Sequence, residues 1–226
     1  MKKALQRAFP LTLPVMAGYL FLGVTFGLLC KSEGYATWVP VAMSVIIYSG
    51  ALEFAAVPLL CSVFDPLSAF VLGVTLSARH LFYGIPLLKK YAQAKAEKPF
   101  LMFGLTDETF SILSTAEVPE DCSPRAFFFW VTLLNYAYWT GGTLLGALLG
   151  AALSFNLEGL DFALTALFVV LFLEQMRTGS GRKSGAAGLI LALLALLLVG
   201  KTYFILVSMA LILTALLAGR RFFCHD

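Results

Sequence analysis

Charge is what this chain of 226 residues has least of: Asp, Glu, Lys and Arg make up 13% of it, while 60% is hydrophobic. Its mean hydropathy is +0.88. Soluble domains carry about 25% charged residues, so a soluble enzyme or binding module is excluded. What remains is an all-α, polytopic helical membrane protein, read as one integral membrane domain over residues 1–226. Histidine is scarce as well. There are two, one of them His225 at the tail, and the four cysteines (Cys30, Cys61, Cys122, Cys224) show no paired or metal-type spacing. No zinc or haem site and no other cofactor is expected, and no nucleophile–base set points to an enzyme. A signal-peptide cleavage site is also missing. The N-terminus is basic and then apolar, but the apolar part runs to about Leu29 with no small-x-small site after it, which reads as a retained helix. The net charge of +3 does not indicate a nucleic-acid partner, because the basic residues cluster where segments end and not on one face.

What the chain has instead is seven apolar segments, at about 10–30, 36–63, 67–88, 100–115, 125–153, 160–176 and 185–218. The last is long enough for two crossings joined at Gly200-Lys201. At about 1.5 Å per residue, about 20 residues cross a ~30 Å hydrocarbon core. Basic clusters occur at Lys2-Lys3-Arg7, Lys89-Lys90-Lys95-Lys98, Arg177-Arg182-Lys183 and Arg220-Arg221. Positive charge favours the cytoplasmic side. All four clusters and the N-terminus are therefore placed inside, with Glu33, Asp65 and the stretch holding Asn156, Glu158 and Asp161 outside.

That assignment conflicts with a simple count, because three segments separate the first cluster from the second. A broken or re-entrant helix near 49–51 repairs it, where Ser49-Gly50 interrupts the run 36–63. A second near 100–110, at Thr106-Asp107-Glu108-Thr109, repairs the next stretch in the same way. The plainer alternative is one basic loop that breaks the charge rule. Broken backbone at membrane depth is tolerated only inside protein or along a cavity, and it marks substrate sites in secondary transporters. Gly23-Val-Thr-Phe-Gly27 and Gly142-Thr-Leu-Leu-Gly146 also hint at an internal inverted repeat. Gly-x-x-x-Gly serves helix packing equally well.

The polar residues inside these runs are the candidates for function. Arg79 and His80 fall about ten residues before Lys89, or about 15 Å deep. A guanidinium at that depth costs about 2.5–3.5 kcal/mol on insertion scales. It must face protein or water and have a partner. Either it ties two helices together or it binds a carboxylate bidentately, and His80 can carry a proton near neutral pH. Glu53, beside the break at Ser49 and Gly50, reads as a proton carrier, as the counter-ion of Arg79, or as a protonated acid bonded to backbone. Asp107 and Glu108 follow Thr106, a good N-cap, and acids in a first turn complement the helix dipole. A helix that starts in mid-segment is also the geometry of a broken helix, so both readings stand together. Asn135 is a lining candidate in a segment whose Gly141, Gly142, Gly146 and Gly150 suit packing. Glu174, one turn before Arg177, reads as an edge residue that snorkels.

Five blocks occur in order across most of the chain: Gly-x-x-x-Gly in the first segment, Ser49-Gly-Ala-Leu-Glu-Phe-Ala-Ala56, Arg79-His80-Leu-Phe-Tyr83, Leu105-Thr-Asp-Glu-Thr-Phe110, and Leu160-Asp-Phe-Ala-Leu-Thr-Ala-Leu-Phe168. Together they resemble the AzlC family of branched-chain amino acid exporters. The resemblance implies the large subunit of a two-component permease of the bacterial inner membrane. Its partner would be a small hydrophobic subunit of the AzlD type. The substrates implied are leucine, isoleucine and valine, sometimes methionine. Two positions depart from the family pattern: Glu53 stands where glutamine is usual, and Ser77 where asparagine is common.

A zwitterion needs one cation and one anion. Arg79 would meet the substrate carboxylate or hold an acid until substrate arrives. Asp107, Glu108 and Glu53 would serve the ammonium and proton coupling, with His80 as relay. The apolar side chain would rest near Ser49 and Gly50. A passive channel, in which buried charge only sets selectivity, and a structural subunit, in which it only holds a partner, are the alternatives.

Overall fold

The computed structural model describes residues 1–61, 66–94, 96–119, 121–152, 162, 165, 166, 169, 172, 173, 176 and 179–219; at some helix positions, Arg79 among them, it describes the backbone alone. Two compact units result, Met1–Asp161 and Phe162–Asp226. The elements are α1 (Lys2–Ser32), α2 (Trp38–Ile46), α3 (Gly50–Cys61), α4 (Pro66–Leu87), a 3-10 turn (Lys90–Gln93), α5 (Lys98–Phe103), α6 (Asp107–Thr115), α7 (Pro124–Ala152) and α8 (Gly179–Ala218). No strand occurs among the described residues.

The first unit is built on α1 and α7. Each buries one stripe, Ala4, Ala8, Thr12, Tyr19, Gly23, Phe26, Gly27 and Cys30 on α1 against Phe127, Val131, Asn135, Trp139, Gly142, Gly146 and Ala147 on α7. Small residues on both stripes let the backbones touch. A Cβ on Gly27 would overlap the backbone of Thr143 and Ala147, and one on Gly146 would overlap that of Val24. The two Gly-x-x-x-Gly motifs are thus each other's packing surface. Gly23 sits against Thr143, Gly27 against Ala147, and Gly150 against Lys31, while Arg7 and Asp121 pair at 3.1 Å near the two helix starts. The register rises together, so the helices are parallel. An inverted repeat relating these two segments would make them antiparallel, so the glycine similarity records packing and not inversion.

Both sequence-level breaks are present. Between α2 and α3 the chain passes through Ile47, Tyr48 and Ser49, and Tyr48 takes φ 47°, the left-handed region that a bulky residue enters only under constraint. Between α5 and α6 it passes through Gly104, Leu105 and Thr106. Thr106, in extended backbone, accepts from the Thr109 N–H and caps α6. Each broken segment doubles back. The α2–α3 hairpin starts just after α1 ends, and its far limb returns there, where the Tyr35 hydroxyl donates to the Val57 carbonyl at 3.2 Å. The α5–α6 hairpin starts and ends near the other end of the pair. Arg125, at the start of α7, pairs with Glu97 before α5, and Lys90 donates to the carbonyls of Leu113 and Ser114 at the end of α6.

The end of α4 joins that same region. Leu87, Tyr91, Leu101, Leu113, Phe127 and Phe128 form one buried cluster with Ala8 of α1. So α4 runs antiparallel to α1 and α7, and Lys2, Lys3, Arg7, Lys89, Lys90 and Lys98 collect at one end. Two hairpins of this kind are one of the two ways in which the charge pattern could be met, the other being a basic loop that breaks the rule.

In the second unit α8 bends at Gly200 (φ 69°, ψ −173°), at the joint expected from Gly200-Lys201; only glycine takes that conformation without strain. By length and composition, Lys2–Ser32 and Arg182–Gly200 each suffice to cross a membrane. Most of 160–176, with Asp161, Glu174 and Arg177, and Lys95 and Asp65, lies outside the described residues.

Candidate functional site

The two hairpin tips meet about halfway along the α1–α7 pair. Tyr48 of one tip and Phe103 of the other have ring centroids 6.0 Å apart. Five of the sequence candidates, Thr106, Asp107, Glu108, Asn135 and His80, converge at the α6 tip. The Tyr19 hydroxyl of α1 donates to Glu108 Oε2 at 2.6 Å and lies 2.7 Å from Thr106 Oγ1. Thr106 is 3.1 Å from Thr109 Oγ1, and Asn135 of α7 donates its Nδ2 to that same oxygen at 3.0 Å. His80 of α4 comes alongside, with Nε2 3.8 Å from Asp107 Oδ1. Its neighbour Tyr83 stacks on Phe110 at 4.8 Å, which registers α4 against α6.

Glu53, Ser49 and Gly50 form the other half. Glu53 is fully buried. Its carboxylate accepts the Ser49 backbone N–H at 2.9 Å and the Trp139 indole N–H, 3.1 Å from each oxygen. Both donors are neutral. Gly50 is glycine because Trp139 lies on it: a Cβ there would come 2.8 Å from the indole ring. Phe26 stacks on Trp139 at 6.5 Å and meets Phe54 at 5.3 Å. The halves join where Tyr19 and Trp139 touch edge to face, 5.6 Å apart.

Chemically, the arrangement brings the N-termini of α3 and α6 to one level. The positive dipole ends of the two helices favour an anion, while Asp107 and Glu108 offer negative charge beside them. Arg79 lies on α4 one residue before His80, and its side chain is outside the described set. Among the described residues no group of three or more His, Cys, Asp or Glu converges as a metal site. Titration at the basic end is shaped by pairing: the Arg125 hydrogen bonds hold the Glu97 carboxyl below the usual carboxylate range, and Arg7 does the same for Asp121.

Tyr19, Tyr48 and Trp139 were not singled out from the sequence. The available signal was general: a tyrosine or tryptophan in a buried stripe needs a partner for its O–H or N–H, and for Tyr19 and Trp139 those partners are Glu108 and Glu53.

The family model for AzlC protein matches residues 14–153. The chain belongs to the AzlC family. It is 43% identical over 218 residues to the "Branched-chain amino acid transport protein AzlC" of Bacillus subtilis, covering 96% of this chain and 86% of that one. An "Uncharacterized membrane protein" of Helicobacter pylori is 36% identical, covering 97% and 96%. The "Inner membrane protein YgaZ" of Escherichia coli is 26% identical, covering 76% and 71%. No solved structure matches. The matched segment holds both hairpins and the glycine-lined part of the α1–α7 contact, so the constellation above lies within the family's own region of an AzlC-type membrane protein.

Proposed function

We propose that the chain is a secondary transporter that exports branched-chain or similar small amino acids across a bacterial inner membrane. Proton coupling and a small AzlD-type partner subunit belong to the same reading. The carrying observation is the meeting of two helix hairpins from opposite ends, halfway along the α1–α7 pair, with carboxylates at both tips. In membrane terms each hairpin is a re-entrant segment, α1, α4 and α7 cross fully, and the basic end is cytoplasmic. Such broken helices are used by transporters to hold substrate and coupling ion near mid-membrane.

An inverted repeat also fits this reading, with a pairing other than that of the glycine motifs. Helix α1 followed by the hairpin at its end, and α4 followed by the hairpin at its end, are two copies of one pattern running in opposite senses. Substrate carboxylate would lie against the N-termini of α3 and α6 and against Arg79. The ammonium would face Asp107 or Glu108, with His80 as proton relay. The branched side chain would sit among Tyr48, Phe103 and the tip at Ser49 and Gly50. Glu53, already engaged by Trp139 and Ser49, suits coupling better than direct contact with substrate.

Efflux from cells preloaded with leucine-containing dipeptides, with and without the small partner, tests this. The chain with its partner should lower intracellular leucine, isoleucine and valine pools, and a protonophore should abolish efflux against a gradient. Arg79→Lys and Asp107→Asn should leave the complex assembled and lose efflux. Unchanged pools of all three amino acids would overturn the reading. Efflux that survives the protonophore would replace the exporter with a passive channel, and equal loss of assembly and efflux in Arg79→Lys would indicate a structural subunit.

A further inference from the structure

Tyr19 and Trp139 each hold one hairpin tip, and they hold each other. Tyr19 binds Glu108 and Thr106 on the α6 side. Trp139 binds Glu53 and carries Gly50 on its ring on the α3 side. Their edge-to-face contact lies on the scaffold helices, which close glycine packing makes stiff. Both residues are nearly buried, at 6% and 4% exposure. A tip cannot withdraw from the centre without breaking a hydrogen bond to one ring, and that ring is packed against the other.

We propose that Tyr19 and Trp139 are positioning residues that couple the two hairpin tips, so that release of one tip loosens the other. Its use in transport rests on the proposed function; the coupling itself does not. The pair would make the hairpins open in concert, because neither aromatic can reorient while its neighbour is fixed. Tyr48 against Phe103 offers a direct path between the tips, and the experiment separates the two.

In purified protein with the native cysteines replaced, a single cysteine is placed at Ala51 on one tip or at Leu105 on the other, positions buried to 9% and 4% exposure. Maleimide labelling, run slowly relative to opening, reads the open fraction. Glu108→Ala should speed labelling at position 51 by about fivefold or more, the lower range of coupling between sites, and Glu53→Ala should speed labelling at position 105 by a comparable factor, since coupling is reciprocal. The first effect should vanish in Trp139→Phe and the second in Tyr19→Phe, while Trp139→Tyr, which keeps a ring and a donor, should restore part of it. Unchanged labelling at the remote tip overturns the proposal. So does remote labelling that persists at full size in both aromatic variants, which would assign the coupling to Tyr48 and Phe103. No amino acid is present in the assay, so failed transport with intact coupling would remove the transport reading alone.

Discussion

Glu53 and Glu108 are two acids at the starts of two helices, and their surroundings set them apart. Glu108 is half-buried and bound by one hydroxyl. Glu53 is fully buried and bound by an indole and a backbone N–H. Removing one partner of a buried polar group costs more than the bond contributes, about 1–3 kcal/mol. Trp139→Phe should therefore lower thermal stability in detergent by that order, and Trp139→Phe combined with Glu53→Leu should recover part of the loss. A double variant less stable by the sum of the two single changes would contradict the assignment. From the sequence, Thr106 was legible as a cap because capping is local. The partners of Glu53 and Glu108 were not, because Trp139 and Tyr19 lie 86 and 89 positions away along the chain. Nothing in local spacing selects one aromatic over another at such separations.

Helices and hairpins were legible to different degrees. Segment existence followed from apolar run length, and the breaks from polar or small residues in mid-run, at Ser49-Gly50 and at Thr106. Where helices end was less visible: α1 begins at Lys2, well before the apolar run at residue 10, with Pro10 and Pro14 inside it. The sequence left both packing and repetition open for the Gly-x-x-x-Gly motifs of α1 and α7, because a shared packing motif and an internal duplication look alike in short sequence. That pairing yields a matched test. Gly146→Ala would drive a Cβ into the Val24 backbone, whereas Gly141→Ala would meet nothing within 4 Å. Overpacking costs about 1–3 kcal/mol, so Gly146→Ala should lower the melting temperature and the monodisperse yield while Gly141→Ala matches the parent. Equal behaviour would place the helix contact elsewhere.

The α5–α6 hairpin carries a pH test. Arg125 holds Glu97 below its ordinary range, so the folded state binds fewer protons than the unfolded chain near that pKa. The pair's contribution is full above the unfolded value of about 4.3 and fades as pH falls through the depressed folded value. Wild type should melt above Glu97→Gln at neutral pH, with the gap closing on acidification below about pH 4. A gap that widens in acid would contradict the pairing.

For the whole molecule, the placement of charge carried the most information. Counting basic clusters against apolar segments pointed either to a chain that doubles back or to one basic loop that breaks the charge rule. The Tyr35 contact with Val57 closes a hairpin between the first two clusters, and the Lys90 contacts with Leu113 and Ser114 close another after the second. In cells, single cysteines at Lys98 and Thr115 should label from the same side as one at Lys3, and a cysteine at Glu33 from the opposite side. Labelling of positions 98 and 115 from opposite sides would turn α5–α6 into a crossing and remove the re-entrant reading.

Leucine counterflow into proteoliposomes containing the purified chain and its small partner tests the central claim most directly. Vesicles loaded with unlabelled leucine should accumulate labelled leucine transiently, with competition by isoleucine and valine and none by glutamate. Replacing Asp107 by Asn should abolish accumulation without changing the amount of protein reconstituted. Absence of counterflow for all three branched-chain amino acids, with the hairpins correctly inserted, would contradict the account.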